Sequence, residues 1–482
     1  MAARKQFGAG RRTASLLLGE VQNETIYGTI YYNEDADSTT KSTSVREEAS
    51  GMYRTGKIVV CCLLFLFASA SLFGEPALPR PQSLAAEERR EAVAQPLLRW
   101  TPIADAIQYE LEIWTQLPEE APTGAGPLLK TRQVFQAAYQ ADFSLLEEEQ
   151  TFYWRVRALD LDGQPISRFS QSELLQVNPK KKGLLRPILN ADFNAGGMAS
   201  LLYPVYTWVV IPGAVGYEVE LLAAEPENPT GTDASKYRIW SQRVGAVIDC
   251  YDELPRSKPG VYYWRVRGLD EQGGPVGVWS EAGRFTVDPA NDGWYSASFG
   301  DSIVHGGGSV SFSPADKEYD FQSYLHFSHV NLGRSGDTTE SMLARFDADV
   351  LPYNPKYLLI LGGTNSLRGG VPAEQVIQEL TEIGEKCRAN GIRPIFLTLP
   401  SINPAAIERV FDEPTAESWR SAFTKVNQFI RRQPYYIDLE PHFIDSKGLM
   451  QNRLAIDGLH PGLEGKELMA QIIERNWVRV TR

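Results

Sequence analysis

The C-terminal part of the chain contains a serine, an aspartate and a histidine that could act together as a nucleophile and its base. Ser302 follows Gly300 and Asp301 after an apolar run. His460 is the only one of the five histidines with an aspartate, Asp457, three residues before it. A serine hydroxyl is a weak nucleophile until a base removes its proton, and histidine suits that role because its pKa lies near neutrality. Asp457 could hold the ring in one tautomer, so the three residues predict a triad for acyl transfer.

Two further motifs contain hydrogen-bond donors for the oxyanion that such an attack creates. Gly336 lies in the motif Ser-Gly-Asp-Thr, and Asn365 lies in Gly-Gly-Thr-Asn. Donors of this kind must be fixed before the reaction begins, and removing one costs about 2.7 to 4 kcal/mol in a well-studied protease. We predict that the backbone N–H groups of Ser302 and Gly336 converge with the side-chain amide of Asn365.

The elements that must position these motifs alternate from residue 294 onward. Short β-rich apolar runs predict strands, and longer amphipathic stretches predict helices. The predicted strands lie within residues 294–299, 328–333, 356–363, 392–399 and 434–439, and the predicted helices lie near residues 338–350, 372–389, 415–432 and 464–477. This alternation is typical of a parallel sheet covered on both faces, whose ligands bind at the carboxyl ends of the strands. The four motifs lie where that edge would bring them together.

The motifs resemble the four blocks of the SGNH, or GDSL-type, hydrolase family, which supply Ser, Gly, Asn and His in this order. The resemblance covers residues 294–482 and implies a three-layer, flavodoxin-like α/β domain that needs no cofactor. It assigns the nucleophile to Ser302, the oxyanion donors to Ser302, Gly336 and Asn365, and the rest of the triad to Asp457 and His460. The family usually has aspartate after the asparagine, whereas this chain has Ser366. That difference concerns the loop rather than the triad.

Three other residues are candidates for contact with a substrate. His305 lies three residues after Ser302, and Arg334 and Arg368 lie in the loops of the oxyanion donors. An arginine there could bind an anionic or sugar group. A structural role for His305, and solvated surface positions for both arginines, are the alternatives. The remaining histidines are expected to be packing or surface residues: His326, His329 and His442. No cluster has the spacing of a metal site, so we expect none.

An internal repeat precedes this domain. Residues 98–113 match residues 206–221, and a Tyr-Trp-Arg-Val-Arg segment recurs later in each copy. Alternation of polar and apolar residues between turn signals predicts an all-β sandwich for each copy. The pattern resembles that of fibronectin type III-like domains, which we place at residues 78–178 and 184–289.

The N-terminal region contains the pattern of a secretory signal. Residues 52–70 begin with basic residues, continue with ten apolar residues and end in Ala-Ser-Ala, which is the three-part build of such a signal. We therefore expect the chain to begin at Met52, with residues 1–51 an upstream or disordered segment and the mature protein secreted or periplasmic. The alternative is an uncleaved anchor, although the apolar run is shorter than the ~20 residues of a spanning helix.

The composition of the chain indicates which kinds of binding partner and which structural class are expected. The 482-residue chain has a formal net charge of −12 and no long basic run, so nucleic acid is not an expected partner. A hydrophobic fraction of 43% indicates folded cores rather than disorder. Only Cys250 and Cys387 remain after the signal segment, and they are predicted to lie in different domains, so no disulfide framework is expected.

These observations predict an extracytoplasmic serine esterase with two β-sandwiches before its catalytic domain. The predicted strands and helices use most of the residues between Ser302 and Asp457, so little chain is left to form an apolar lid. An open site favours acetyl esters on a polysaccharide over esters with long acyl chains. The alternatives are a lysophospholipase or thioesterase of the same family, and a non-catalytic polymer-binding or adhesion protein. If the sandwiches only space or target the site, residues 290–482 alone should retain activity. The ligand of the sandwiches and the oligomeric state stay open.

Overall fold

In the computed structural model, the described residues are 82, 92–181, 183–190, 199–289, 295–309 and 312–482. The predicted signal and the segment before it lie outside the described residues. Within the described chain, buried apolar residues form one core in each copy of the repeat and another in the C-terminal domain. None of the described helices has the length and apolar character that crossing a bilayer would require.

The first copy of the repeat consists of antiparallel strands. They are β1 (Leu97–Arg99), β2 (Gln108–Trp114), β3 (Leu129–Val134), β4 (Ala138–Gln140), β5 (Gln150–Leu159) and β6 (Glu173–Val177). The order β3-β2-β5-β6 forms one sheet, and β1 pairs with β4. Trp100 and Trp154 are buried in the core of this copy, with ring centroids 6.1 Å apart. Large aromatic side chains thus supply much of the apolar surface that this small unit can bury.

The second copy repeats this arrangement. Its strands are β7 (Ile188–Leu189), β8 (Ala199–Leu201), β9 (Val205–Val209), β10 (Gly216–Leu222), β11 (Arg238–Val244), β12 (Asp249–Tyr251), β13 (Gly260–Leu269), β14 (Pro275–Val276) and β15 (Gly283–Val287). The strands β11, β10, β13, β14 and β15 form one antiparallel sheet, and β12, β9 and β7 form another. Both copies contain the predicted antiparallel strands, while their relation to the fibronectin type III-like family stays a prediction.

The C-terminal domain contains the predicted parallel sheet. Its strands are β16 (Ser296–Gly300), β17 (His329–Asn331), β18 (Tyr357–Leu361), β19 (Arg393–Leu397) and β20 (Tyr436–Ile437). They lie in the order β20-β19-β18-β16-β17. Every residue of β16, β17 and β18 is buried, as expected for strands covered on both faces. Their carboxyl ends therefore meet at one edge.

Helices of two kinds connect these strands. The long helices match the predicted ranges: α2 (Thr339–Asp349), α4 (Ala373–Ala389), α6 (Trp419–Ile430) and α8 (Leu463–Thr481). The short ones were not predicted: α1 (Ser302–His305), α3 (Thr364–Arg368), α5 (Pro404–Phe411) and α7 (Glu440–Phe443). α2, α4 and α6 pack side by side, and α8 packs against β20. α1, α3 and α7 have only 4, 5 and 4 residues, which is too short for an apolar stripe to become visible in a sequence.

One strand crosses the predicted domain boundary. β8, which belongs to the second copy by position in the chain, pairs in parallel with β17 at the edge of the C-terminal sheet. Leu202 and Tyr203 follow β8 and are buried in the core of the C-terminal domain. A C-terminal domain that begins at residue 294 therefore lacks one strand of its own sheet, β8. A three-residue strand is too short for its pattern to reveal its partner.

Candidate active site

The turn that presents Ser302 is formed by close packing at the end of β16. A side chain at Gly300 would collide with the carbonyl oxygen of Leu361 on β18, so the backbone can pass there only without a Cβ. Asp301 caps α1 by accepting a hydrogen bond from the Ile303 N–H at 3.0 Å. The Ser302 side chain therefore stands at the first residue of a helix, at the carboxyl edge of the sheet.

Ser302, His460 and Asp457 form a continuous chain of hydrogen bonds. His460 Nδ1 lies 2.8 Å from Asp457 Oδ2, and a carboxylate can only accept, so Nδ1 carries the proton. His460 Nε2 is then an acceptor, and the Ser302 hydroxyl lies 3.0 Å from it. The other Asp457 oxygen accepts from the backbone N–H groups of Leu459 and His460 at 2.9 and 2.8 Å. This fully buried aspartate fixes both the loop and the ring.

The predicted oxyanion donors Gly336 and Asn365 lie on two loops that a hydrogen bond joins. Gly336 is solvent-exposed and has φ +84°, a conformation that L side chains rarely adopt. The Asn365 side-chain amide donates one hydrogen bond to the Asp337 carbonyl oxygen at 3.0 Å, which fixes its orientation and leaves its second N–H for another acceptor. Among the described residues, the backbone N–H groups of Ser302 and Gly336 have no hydrogen-bond acceptor.

Ser366, where the family usually has aspartate, joins the two oxyanion loops. Its side chain is buried and its hydroxyl accepts a hydrogen bond from the Thr339 N–H at 3.0 Å. The Thr339 hydroxyl in turn donates to Glu379 on α4. A serine thus connects the Asn365 loop to the first turn of α2.

Two buried titratable residues, Asp301 and Lys466, lie next to the helix that begins with Ser302, and no role was predicted for them from the sequence. Burial raises the pKa of Asp301 to about 6. Burial lowers the pKa of Lys466 on α8 to about 8, although Asp320, Asp301 and Asp457 counteract this effect. Lys466 Nζ donates to the Ile303 carbonyl oxygen at 3.0 Å. Lys466 therefore connects the helix after His460 to the helix that begins with Ser302.

The candidate substrate contacts lie in different surroundings. His305 is 2% exposed and both ring nitrogens are engaged inside the protein, Nε2 with the Tyr203 carbonyl oxygen at 2.8 Å and Nδ1 with Ser335. These contacts favour the structural role for His305 over contact with a substrate, because both ring nitrogens already have partners. Arg368 forms an ion pair with Glu413 at 2.6 Å. Arg334 lies over the Tyr203 ring, 5.6 Å from its centroid.

The other histidines lie outside the site. His326 is exposed and lies beside Glu474, and His442 lies in α7. His329 is completely buried, with its two nitrogens 2.7 and 2.8 Å from the hydroxyls of Ser296 and Ser298. Within the described residues, no group of three or more acidic, cysteine or histidine side chains could hold a metal ion.

Comparison with known proteins identifies the family of the C-terminal domain. Residues 298–468 match the GDSL-like lipase/acylhydrolase family. Esterase TesA of Pseudomonas aeruginosa is 31% identical over 167 residues, which are 34% of this chain and 71% of that esterase. The chain belongs to the GDSL-like lipase/acylhydrolase family. It is therefore an ester-hydrolysing serine hydrolase.

Other known proteins are similar to this GDSL-like acylhydrolase. A protein of Escherichia coli K12 named thioesterase 1/protease 1/lysophospholipase L1 is 28% identical over 144 residues, covering 30% of this chain and 64% of that protein. The chain thus spans less than two thirds of that relative. A crystal structure of a lipase/acylhydrolase from Enterococcus faecalis is 21% identical, with a TM-score of 0.31, and covers 39% of this chain and 96% of that one.

Proposed function

We propose that Ser302, His460 and Asp457 are the catalytic triad of this acylhydrolase. The observation that carries the proposal is the hydrogen-bond chain of 3.0 and 2.8 Å that joins the three side chains. Ser302 Oγ attacks the ester carbonyl as its proton passes to His460 Nε2, and the same nitrogen returns that proton to the departing alcohol. A water molecule that loses its proton to His460 then releases the acid and restores Ser302. Asp457 stabilises the imidazolium formed in both steps.

Gly336 and Asn365 complete this mechanism as oxyanion donors. The backbone N–H groups of Ser302 and Gly336 and the second N–H of Asn365 donate to the carbonyl oxygen as it gains negative charge. Fixed donors stabilise the tetrahedral intermediate without having to reorganise during the reaction. The hydrogen bond from Asn365 to the Asp337 carbonyl oxygen supports this role, because it holds the amide in place before substrate binds.

For the substrate, we propose short acyl esters, above all acetyl groups on a carbohydrate. The connections after β16, β17 and β18 are short, since the next helices begin at Ser302, Thr339 and Thr364. Gly336 is solvent-exposed, and the preceding Ser335 bonds to His305 in the helix that begins with Ser302. Both observations support an open site, which suits a small acyl group on a bulky alcohol better than a long acyl chain that must be buried.

A second candidate is hydrolysis of thioesters or lysophospholipids. It is favoured by the name of the Escherichia coli relative, thioesterase 1/protease 1/lysophospholipase L1. In the structure, Phe411 at the end of α5 lies edge-on to His460, with ring centroids 5.9 Å apart. An apolar ring in this position could contact either an acyl chain or the face of a sugar.

The two candidates differ in their dependence on acyl length. Purified protein is assayed with p-nitrophenyl acetate, butyrate, octanoate and palmitate, with acetylated xylan, and with a lysophospholipid. We expect kcat/KM to be highest for acetate and acetic acid to be released from the polysaccharide. A maximum at octanoate or longer, together with lysophospholipid hydrolysis, would reverse the substrate ranking.

We also propose that the enzyme acts outside the cytoplasm and that the two β-sandwich units are fibronectin type III-like modules that carry it to its substrate. The signal-like residues 52–70 support the location. The tandem position of the two units before the catalytic domain supports the carrier role. Comparing the N terminus of protein secreted by a bacterial host with Ser71 tests signal cleavage directly.

A further inference from the structure

We propose that Tyr203, on the segment between β8 and β9, is a positioning residue for the loop that carries the oxyanion donor Gly336. This inference rests on the proposed function of Gly336 and extends it, because the second β-sandwich unit then supplies part of the catalytic machinery. Tyr203 does not touch the reacting atoms. It acts through two separate chains of hydrogen bonds that reach the loop on either side of Gly336.

Tyr203 is inserted into the C-terminal domain although it belongs to the second unit by position in the chain. Its side chain is 3% exposed and packs in the same core as Phe299 and Val304. Just before it, the Leu202 N–H donates to the Asn331 carbonyl oxygen at the end of β17, at 3.0 Å. The segment is therefore held at the carboxyl edge of the sheet, where the site lies.

The first chain of hydrogen bonds runs through the backbone of Tyr203. Its carbonyl oxygen can only accept, so His305 Nε2, 2.8 Å away, carries the ring proton. His305 Nδ1 is then an acceptor, and the Ser335 N–H donates to it at 3.2 Å, with the Ser335 hydroxyl at 2.9 Å. Tyr203 thus fixes the tautomer of His305, and His305 fixes the residue immediately before Gly336.

The second chain runs through the side chain of Tyr203. Its hydroxyl donates to Asp349 Oδ2 at 2.6 Å, and the same oxygen accepts from Arg345 Nη1 at 2.9 Å. Arg345 Nε donates to Asp337 Oδ2 at 2.6 Å. The Arg345 guanidinium also lies 5.5 Å from the centroid of the Tyr203 ring. Tyr203 therefore holds the aspartate and the arginine that fix the residue immediately after Gly336.

The second chain also reaches Gly300, two residues before Ser302, and the oxyanion donor Asn365. Arg345 Nη2 donates to the Gly300 carbonyl oxygen at 3.2 Å, and the Asp337 carbonyl oxygen accepts from the Asn365 amide. A shift of Asp337 would therefore move Asn365 as well as Gly336. Oxyanion donors stabilise the transition state only when they are fixed in advance, and misplacement by about 1 Å can cost about 10²-fold in rate.

The test is Tyr203→Phe in the full-length protein, which removes the hydroxyl and keeps the ring. We expect kcat for p-nitrophenyl acetate to fall about tenfold because the oxyanion loop loosens, while KM stays within about twofold because ground-state binding is retained. Tyr217→Phe is the matched control. Tyr217 is as buried as Tyr203, and its hydroxyl accepts from the Ile211 N–H at 2.9 Å. This hydrogen bond lies within the second β-sandwich unit, so the variant should keep the parent kcat.

A second variant separates positioning from general loss of stability. Asp349→Asn interrupts the same chain one step further on, so the double variant with Tyr203→Phe should lose no more kcat than Asp349→Asn alone. If the fold-loss in kcat of the double variant equals the product of the losses in the two single variants, the proposal is overturned. A parent-like kcat in Tyr203→Phe would also overturn it, as would equal losses in Tyr203→Phe and Tyr217→Phe. If Ser302→Ala keeps the parent rate in the same assay, the triad assignment itself fails, which is a distinguishable result.

Discussion

At the scale of single residues, the proposed site joins Ser302, His460 and Asp457 in one chain of hydrogen bonds. Asp457 Oδ2 lies 2.8 Å from the histidine ring, and Oδ1 accepts from two backbone N–H groups. Because both oxygens are used, the carboxylate holds the ring as well as stabilising its charge. The sequence predicted that these three residues lie together, since serine, aspartate and histidine stand in short motifs; their catalytic roles stay a prediction. It did not predict Lys466 or Tyr203, whose contacts depend on residues far away in the chain.

Replacing Asp457 should leave the fold in place and remove most of the activity. Asp457→Asn presents an amide to His460 Nδ1 and favours the wrong tautomer, so we expect kcat to fall about 10⁴-fold, as the equivalent change does in a serine protease. Asp347→Asn is the control, because Asp347 forms an exposed ion pair with Lys386 at 2.8 Å. Steady-state kinetics and thermal unfolding are measured for both. A loss of less than about tenfold in Asp457→Asn would contradict the triad.

The buried histidine of β17 should make stability depend on pH. Burial lowers the pKa of His329 to about 3. Below pH 6.5 the imidazole is therefore protonated in the unfolded chain but stays neutral in the folded chain. The contribution of His329 is thus fully present above pH 6.5 and is lost as the pH falls toward 3. We expect the gap in unfolding free energy between the parent and His329→Asn to narrow by about 1.4 kcal/mol per pH unit below 6.5. Urea unfolding at pH 7, 6 and 5 measures this gap, and a constant gap would contradict the prediction.

At the scale of elements, the long strands and helices could be predicted because their apolar periodicity spans several turns or alternations. The short helices that carry the site could not, because caps and close contacts define them. α1 begins at the Asp301 cap, and α3 follows Gly363, whose φ is +121°. β8 was missed for the same reason, since its role depends on its pairing with β17.

The close approach of two loops provides a test at this scale. A Cβ at Gly333, between β17 and Gly336, would collide with the backbone nitrogen of His305 in α1. We expect Gly333→Ala to displace α1 or the oxyanion loop and to reduce both kcat and unfolding free energy, the latter by about 2 kcal/mol. Gly126→Ala is the control, because nothing lies within 4 Å of its Cβ position. Equal stability and activity in both variants would show that the two loops can separate without cost.

At the scale of the whole molecule, the second β-sandwich unit and the catalytic domain share a sheet. β8 covers the β17 edge, and Leu202 and Tyr203 complete the core beneath the site. The first unit also contacts this domain, since Asp162 pairs with Arg409 at 2.9 Å. The expectation that residues 290–482 alone retain activity assumed that the sandwiches are only spacers. Because β8 belongs to the catalytic sheet, we expect a fragment without β8 to lose activity.

Two fragments separate these alternatives. Residues 183–482 keep β8 and the whole second unit, and we expect them to unfold cooperatively and to hydrolyse p-nitrophenyl acetate. Residues 295–482 lose β8 and leave the β17 edge unpaired. We expect this fragment to unfold roughly 10 °C lower, or to aggregate, and to lose activity. Calorimetry and the ester assay are applied to both. A shorter fragment as stable and active as the longer one would show that the sandwich unit is dispensable.

The central claim, that Ser302 is the nucleophile, is tested most directly by identifying the residue that becomes covalently modified. The full-length protein is treated with a fluorophosphonate, digested and analysed by tandem mass spectrometry, with residual activity on p-nitrophenyl acetate followed in parallel. Ser302→Ala and the exposed Ser323→Ala are treated in the same way. We predict one phosphonyl group on Ser302, complete inactivation of the parent and of Ser323→Ala, and neither labelling nor turnover in Ser302→Ala. Modification of another residue, or ester hydrolysis that persists in Ser302→Ala, would contradict the claim.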